Sequence, residues 1–396
     1  VKVVCVGGGP ASLYFSILMK RVDPSHDITV YERNPAGSSY GWGVTYWDEL
    51  FHFLHGVDPE SARAISECSV RWDSWIVHLH DRATITVEHG DEGSGVSRRR
   101  LLDIFTERAR ALGVRIEFER EVTDEREFPD ADLIVAGDGV NSVLRERHAA
   151  HFGTEIAVGR NKYVWLGTTK VFDSFTFAFT ETPHGWIWCY GYRYDQDRST
   201  VVVECSPETW RGLGFHEANE ADSLALMEKL FADILDGHSL MGRTQIDGSA
   251  HWLNFRTVTN RRWYRDNVVL LGDAAHTTHY SVGAGTTLAL GDVAFLVDAL
   301  HGDPRLAGAL ARYERERRSV IRAPQRAARY SARWYENLPR YIDLPPHQMI
   351  TLLDQRNSRV LAYTPPWLYY RIGQITGRLS ALRSGGGPTW QSRSSE

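Results

Sequence analysis

The sequence predicts an α/β fold: a parallel-sheet nucleotide-binding domain, interleaved with an antiparallel β-sheet domain and completed by C-terminal helices. Three observations predict it. The opening "VKVVCVGGGPASLYFSILMKR" reads as a short apolar strand, a glycine turn and a helix. "VVLLGDAAHTTHYSVGAGTTLALGDVAFLVDAL", from Val268 to Leu300, repeats that order near the other end. Between them, from about Lys162 to Val203, β-rich runs follow one another with turn residues between, as in an antiparallel sheet.

Taken in order, "VKVVCV" is a buried strand, "GGGPAS" a turn and "LYFSILMKRV" a helix; "DITVYER" adds a second strand and completes a βαβ unit. "RRRLLDIFTERARALGV" has apolar residues at helical spacing, and "RIEFEREV" reads as the strand after it. "DADLIVAGDGVNSVLRER" is strand, turn and helix start. The runs "KYVWLGTTKVF", "FTFAFTE", "GWIWCYGYRY" and "STVVVECS" form the second layer, followed by a helix near "ADSLALMEKLFADIL" and further strand-like pieces before "NVVLLGD". After Arg305 the chain is helical and rich in arginine. The expected boundaries are 1–70, 96–160 and 262–330 for the nucleotide domain, and 71–95 and 161–261 for the sheet domain. A helical region at 331–385 and a disordered Gly/Ser-rich tail at 386–396 complete them.

Composition removes several function classes. The 396 residues with 42% hydrophobic content can build more than one domain, and a net charge of −5 lacks the basic excess of a general nucleic-acid binder. No apolar run reaches membrane-span length, and the N-terminus carries no basic leader, so a cytoplasmic protein without membrane contact is expected. The four cysteines (Cys5, Cys68, Cys189 and Cys205) are scattered, and the 16 histidines show no HExxH spacing; no metal site is expected.

Three motifs carry the chemistry. In Gly7-Gly8-Gly9-Pro10-Ala11-Ser12, Gly7 allows the tight turn, and Gly9 lets backbone approach a pyrophosphate at the helix N-terminus. Ser12 stands where the GxGxxG pattern has its third glycine. Glu32, next to Arg33, lies roughly twenty residues on, where a Rossmann-like fold uses an acid for ribose hydroxyls. This identifies an adenine dinucleotide without separating NAD from FAD. The second motif is "DGVNSVLR", with Asp138, Gly139, Ser142 and Arg145. The third is "GDAAH" followed by "GAGT", with Gly272, Asp273, His276, Gly283, Ala284, Gly285 and Thr286.

Together these motifs resemble the FAD-dependent aromatic hydroxylases, the single-component or group A flavoprotein monooxygenases. Their DGxxSxxR pattern is matched by Asp138, Gly139, Ser142 and Arg145; their ribityl-binding Gly-Asp pair by Gly272 and Asp273; and their cofactor-touching arginine by Arg98. The resemblance implies a GR2-type FAD-binding domain with tightly held FAD, NADPH or NADH as transient reductant, and O2. A C4a-hydroperoxyflavin then hydroxylates an electron-rich ring. "YVWLGTTKVFDSFTFAFTETPHGW" and "STVVVECSPETW" are similar to the branch acting on salicylyl-CoA, on 2-aminobenzoyl-CoA and, in the violacein pathway, on tryptophan. A small aromatic substrate of salicyl, aminobenzoyl or indole type is therefore expected, free or as a CoA or carrier-protein thioester, in natural-product biosynthesis. The enzyme would be a monomer or homodimer.

For catalysis the sequence offers His279 and Tyr280, between Asp273 and Gly283, and Tyr46 from "YGWGVTYW"; His279 is either a base for a substrate hydroxyl or amine, or a structural histidine. Trp47, Trp165, Trp186, Trp188 and Tyr190 either line a substrate pocket or pack as core, with strand alternation putting the last three on one face. The arginines from Arg312 to Arg333 form either a phosphate-binding run or a solvated helix face. Competing readings are a flavin-linked dehydrogenase or reductase and a non-catalytic flavin module. A halogenase is disfavoured, because Cys189-Tyr190 follow the Trp-x-Trp where that signature has Ile-Pro.

Overall fold

The computed structural model describes residues 1–39, 41–80, 82–242 and 252–374; the expected tail at 386–396 lies outside them, as does the end of the 331–385 region. Two sheets organise the chain. The first has six strands, in the order Tyr264–Arg265, Val268–Leu270, Leu133–Ala136, Lys2–Val6, Asp27–Tyr31 and Arg115–Glu117. All pairs are parallel except Tyr264–Arg265 with Val268–Leu270. These strands are short apolar runs because helices cover them: Pro10–Val22 packs against both Arg98–Ala111 and Gly285–Gly302. The strand expected to run through Val122 stops at Glu117, since Glu119 takes a left-handed φ of 57° that extended pairing cannot continue.

The second sheet runs Leu240–Met241, Glu155–Thr168, Ser199–Cys205, Gly185–Arg193, Phe175–Thr182, Val70–Leu79, Ala83–Ser97 and Gly43–Trp47, with Leu253–Thr259 added beside Glu155–Thr168. It is mixed rather than purely antiparallel. Val70–Leu79 pairs parallel with Phe175–Thr182, because these strands are joined by a long crossover through the first sheet and not by a hairpin. Gly43–Trp47 belongs to this sheet although it falls within the 1–70 segment assigned to the nucleotide domain.

Each face of the second sheet has its own core. Ile187, Cys189, Val201, Val203 and Cys205 pack with the helices of residues 207–235. On the opposite face Trp188, Tyr190 and Tyr192 pack, with Trp186 at the edge, against the C-terminal helices through Trp334, Tyr335 and Tyr341. Period-two alternation explains the split. The 31-residue helix Leu306–Glu336 bridges the domains: Ala309, Leu310, Tyr313 and Ile321 join the first-sheet core, and Trp334 and Tyr335 join the aromatic one.

Candidate active site

Val6 is level with Tyr31 and Ala136, and Ala136 with Leu270, across parallel strands. Gly7, Glu32, Gly137-Asp138 and Gly272-Asp273 therefore all leave the carboxyl ends of adjacent strands at one edge, where α/β sheets bind ligands. Gly7 has φ +93°, and a Cβ there would meet the Gly137 carbonyl at 2.6 Å. Ser12 fills the third-glycine position by contact with another glycine: a Cβ on Gly137 would stand 2.1 Å from Ser12 Oγ. Gly8 N–H donates to Glu32 Oε2 (2.7 Å), and Asn34 N–H to Oε1 (2.8 Å), which fixes the carboxylate at the wall of a cavity of about 180 Å³. Gly9, Glu32 and Arg98 line it; Arg33 is exposed and is not among the lining residues.

The second turn is held by buried charge. Asp292, on the helix Gly285–Gly302, accepts from Gly272 N–H (3.1 Å), His276 Nε2 (2.9 Å) and Arg317 Nε (2.6 Å). Burial pushes its carboxyl up, but His276 and Arg317 outweigh that and leave it below the usual range. Asp273 itself is exposed, yet desolvation by the surrounding protein raises its carboxyl, and the charges of His276 and Arg98 partly offset the rise. Arg145 joins the second and third motifs: it is fully buried and donates to Val140 O (2.7 Å) and Ala274 O (3.3 Å). Asp138 Oδ2 accepts from Val143 N–H at 2.8 Å.

Beyond this turn, Tyr280 reaches the aromatic sheet face. Its hydroxyl donates to Glu204 Oε2 (2.7 Å), while Asn161 Nδ2 donates to Oε1 (2.7 Å). Glu204 is paired opposite Trp188 and is 2% exposed, and burial pushes its carboxyl up to about 7. Tyr280 also lies 4.6 Å from the Tyr163 ring and 6.3 Å from Tyr190, centroid to centroid.

A model of the FAD-binding domain family matches residues 66–328. A salicyloyl-CoA 5-hydroxylase of a Streptomyces species is 36% identical over 353 residues, 86% of this chain and 66% of that enzyme's length. A 3-hydroxy-4-methyl-anthranilyl-(aryl-carrier protein) 5-monooxygenase of Streptosporangium sibiricum is 35% identical over 360 residues, 91% of this chain and 95% of its own. The chain belongs to the FAD-binding monooxygenases. The structure of a 2-methyl-3-hydroxypyridine-5-carboxylic acid oxygenase shares the fold, with TM-score 0.71 at 20% identity over 92% of this chain and 97% of that one.

An FAD-binding monooxygenase must leave polar groups and space for the nucleotide, and this chain does. Ser12 Oγ, Asp138 Oδ1 and Thr287 Oγ1 are buried without a hydrogen-bond partner among the described residues. A Cβ on Gly139 or Gly285 would meet nothing within 4 Å. The helices starting at Pro10 and Gly285 have Gly9 and Ala284 as N-caps and no side-chain cap, so their first N–H groups are free for phosphate or a flavin oxygen. Ala11 is buried behind Pro10, Gly283 turns with φ 61°, and Thr286 sits in the first turn of the second helix.

The remaining expected site residues each make structural contacts. Tyr46 is buried in the first-sheet core, and its hydroxyl donates to Ser69 (2.7 Å); the strand alternation around it was legible, but not which layer covers that face. His279 is held by Ser281, with Nδ1 2.8 Å from Oγ, and burial lowers its ring to about 3, so it holds no proton near neutrality and is a poor base. Trp188 stacks on Tyr335 at 5.9 Å, a packing contact. Trp165 lies over Gly41, whose added Cβ would meet its ring at 2.2 Å. Tyr190 stacks on Phe175 at 5.6 Å. The backbone of Trp47 pairs with Gly93, and its side chain lies outside the described residues. Sequence reasoning missed Glu204 and Asp292. The signal for Glu204 was a lone acid in the buried run "VVVEC"; Asp292 had none, since it reads as an ordinary helical residue. No described helix is long and apolar enough to cross a membrane, and no cluster of three acidic, cysteine or histidine residues among those described is placed for a metal.

Proposed function

We propose that this chain hydroxylates the electron-rich ring of a salicyl-, aminobenzoyl- or indole-type substrate, presented as a CoA or carrier-protein thioester, with NADPH or NADH as reductant. The salicyloyl-CoA and anthranilyl-(aryl-carrier protein) substrates of the two relatives support a thioester-linked aryl substrate. The observation that carries the reading is the Tyr280–Glu204 pair: one buried carboxylate on an aromatic face, joined by a 2.7 Å hydrogen bond to the loop that follows Asp273. FAD, when bound, supplies the activation of O2; one oxygen atom enters the ring, the other leaves as water, and the nicotinamide provides two electrons.

Glu32 would hold the ribose of the adenosine half, the N–H groups after Gly9 the pyrophosphate, and Asp273, with Arg98 near it, the ribityl chain. Tyr163, Trp165 and Tyr190 exclude water around the ring. Removing the proton of a substrate hydroxyl or amine makes the ring more electron-rich. Tyr280 oxygen accepts that proton while passing its own to Glu204, whose carboxyl near 7 suits a base at neutral pH.

The test is O2 uptake and NAD(P)H oxidation against salicyl, anthraniloyl and tryptophan compounds, free and as thioesters, with product analysis. Hydroxylated product in step with O2 consumed supports the proposal. NAD(P)H oxidation without oxygen incorporation indicates a dehydrogenase or reductase, and no acceleration by any aromatic indicates a flavin module. With the active substrate, turnover should rise with pH through about 7. Glu204→Gln should flatten that limb and slow turnover by about 100-fold or more; an unchanged profile removes Glu204 from the mechanism.

A further inference from the structure

The long helix Leu306–Glu336 pairs its first arginines with acids: Arg312 with Asp298 and Glu316, Arg317 with Asp292, and Arg318 with Glu314. Its last residue departs from that pattern. Glu336 is half-buried, has no ion-pair partner among the described residues, and accepts the backbone N–H of Arg160 at 2.7 Å. The Arg160 guanidinium itself goes to Glu208 (3.0 Å).

Arg160 stands in a β-bulge. Asn254 is level with Lys162 and Arg256 with Val158, so Gly159, Arg160 and Asn161 together oppose Phe255. The Asn254 amide closes the bulge: Nδ2 donates to Gly159 O (3.0 Å), Arg160 O (3.1 Å) and Asn161 O (3.0 Å), and its Oδ1 accepts from Lys162 Nζ (2.7 Å). On the facing strand, Phe255 lies 5.8 Å from the Tyr280 ring, centroid to centroid. Successive bulge residues therefore meet two different carboxylates. The Arg160 backbone holds Glu336, and the Asn161 side chain donates to Glu204 Oε1 (2.7 Å). Asn161 is 7% exposed, and its Oδ1 is buried without a partner among the described residues. The amide is thus turned to give its N–H to Glu204 and leaves its own acceptor unmet.

We propose that this bulge makes Asn161 and Glu336 positioning residues for the proton transfer at Tyr280: Asn161 holds the Glu204 carboxylate on the tyrosine hydroxyl, and the uncompensated charge of Glu336 opposes it from the helix end. This rests on the Tyr280–Glu204 reading above. The two influences have opposite signs, because an N–H donated to a carboxylate favours its charged form and a neighbouring negative charge disfavours it. Tyr163 and Trp188 face Glu204 from the flanking strands, and Tyr190, Tyr280 and Tyr335 complete its surroundings. Burial pushes the hydroxyls of the last three up, so they bring no charge. Of the cations, Arg356 acts on Tyr190 and Tyr335, and Lys162 lies on the other face of the sheet over the Trp210 ring.

The experiment titrates the FAD-loaded enzyme without substrate and follows the infrared carbonyl band of a protonated carboxyl, assigned to Glu204 by its loss in Glu204→Gln. The midpoint should lie near 7 in the unsubstituted chain. Glu336→Gln keeps an acceptor for the Arg160 N–H and removes only the charge, so the midpoint should fall by about half a unit or more. Asn161→Asp exchanges the donor for a second negative group and should raise it by about one unit or more. Asn161→Leu, which adds no charge, should raise it by less and serves if the first variant fails to fold. The rising limb of turnover should move with the midpoint in each variant, at unchanged FAD content. Midpoints that stay in place, or that move in the same direction for Glu336→Gln and Asn161→Asp, overturn the inference; a merely structural role would lower the melting temperature and leave them. If the midpoints stay while Glu204→Gln still flattens the turnover limb, only the inference falls. If they move as stated beside a fixed turnover profile, the Tyr280–Glu204 reading falls and takes the inference with it.

Discussion

The two glycine turns are held by different physics. The turn at Gly7–Ser12 is held by backbone and local contacts: Gly7 N–H to Tyr31 O (2.8 Å), Gly137 N–H to Val6 O (2.9 Å) and Gly8 N–H to Glu32. The turn at Gly272–Ala275 depends on side chains from distant segments, with Asp292 and Arg317 beneath it and Arg145 and Asn260 bonded to its carbonyls. A turn that cradles pyrophosphate needs only N–H groups and closeness. On the proposed reading, a turn that aims a carboxylate at the far end of the nucleotide is clamped from outside, by the Asp292 and Arg317 side chains beneath it.

The largest break in this contrast is expected from Asp292→Ala, which leaves Arg317 buried without its counter-ion. Stability should fall by about 3–5 kcal/mol, read as a drop in melting temperature, with FAD lost in parallel. Asp273→Ala should keep the fold but yield largely colourless protein. Retention of stoichiometric FAD, measured by absorbance after gel filtration, would show that the second turn does not carry the ribityl contact. Gly7→Ala tests the first turn: φ +93° and the 2.6 Å approach to Gly137 O should cost about 1–3 kcal/mol, and the loss should be mainly of FAD affinity if the turn is local. The smallest effect is the acid limb of stability. Because the Asp292 carboxyl is depressed in the folded chain, its contribution is complete above the ordinary carboxylate range, about 4, and disappears as pH falls below it. Asp292→Asn should remove that step from an acid titration while Glu32→Gln leaves it in place.

The nucleotide edge was legible because its demands are local. Gly7 needs a left-handed φ, Gly8 a close approach to Glu32, and Glu32 a strand end; each lies in a few neighbouring letters. The catalytic side was legible only by periodicity. Alternation correctly grouped Trp186, Trp188 and Tyr190, but the same alternation gives no sign that Tyr335, 147 positions further along, would occupy Trp188. It likewise held Glu204 and Val202 on one face, unread, because an acid in a strand usually means the solvent side. Tyr46 is the complementary case: the layer over its strand is the first-sheet core, which its alternation does not reveal.

Residue order settled the adenine-dinucleotide turn, the parallel sheet and the second layer, since glycine stereochemistry, helix ends and side-chain period are properties of short segments. Folding in three dimensions settled which carboxylates and arginines are enclosed together. The His276–Asp292–Arg317 cluster, the Tyr280–Glu204 pair and the two carboxylates at the Arg160–Asn161 bulge each bring distant segments into contact, and the strength of a charge depends on the water that other segments exclude from it.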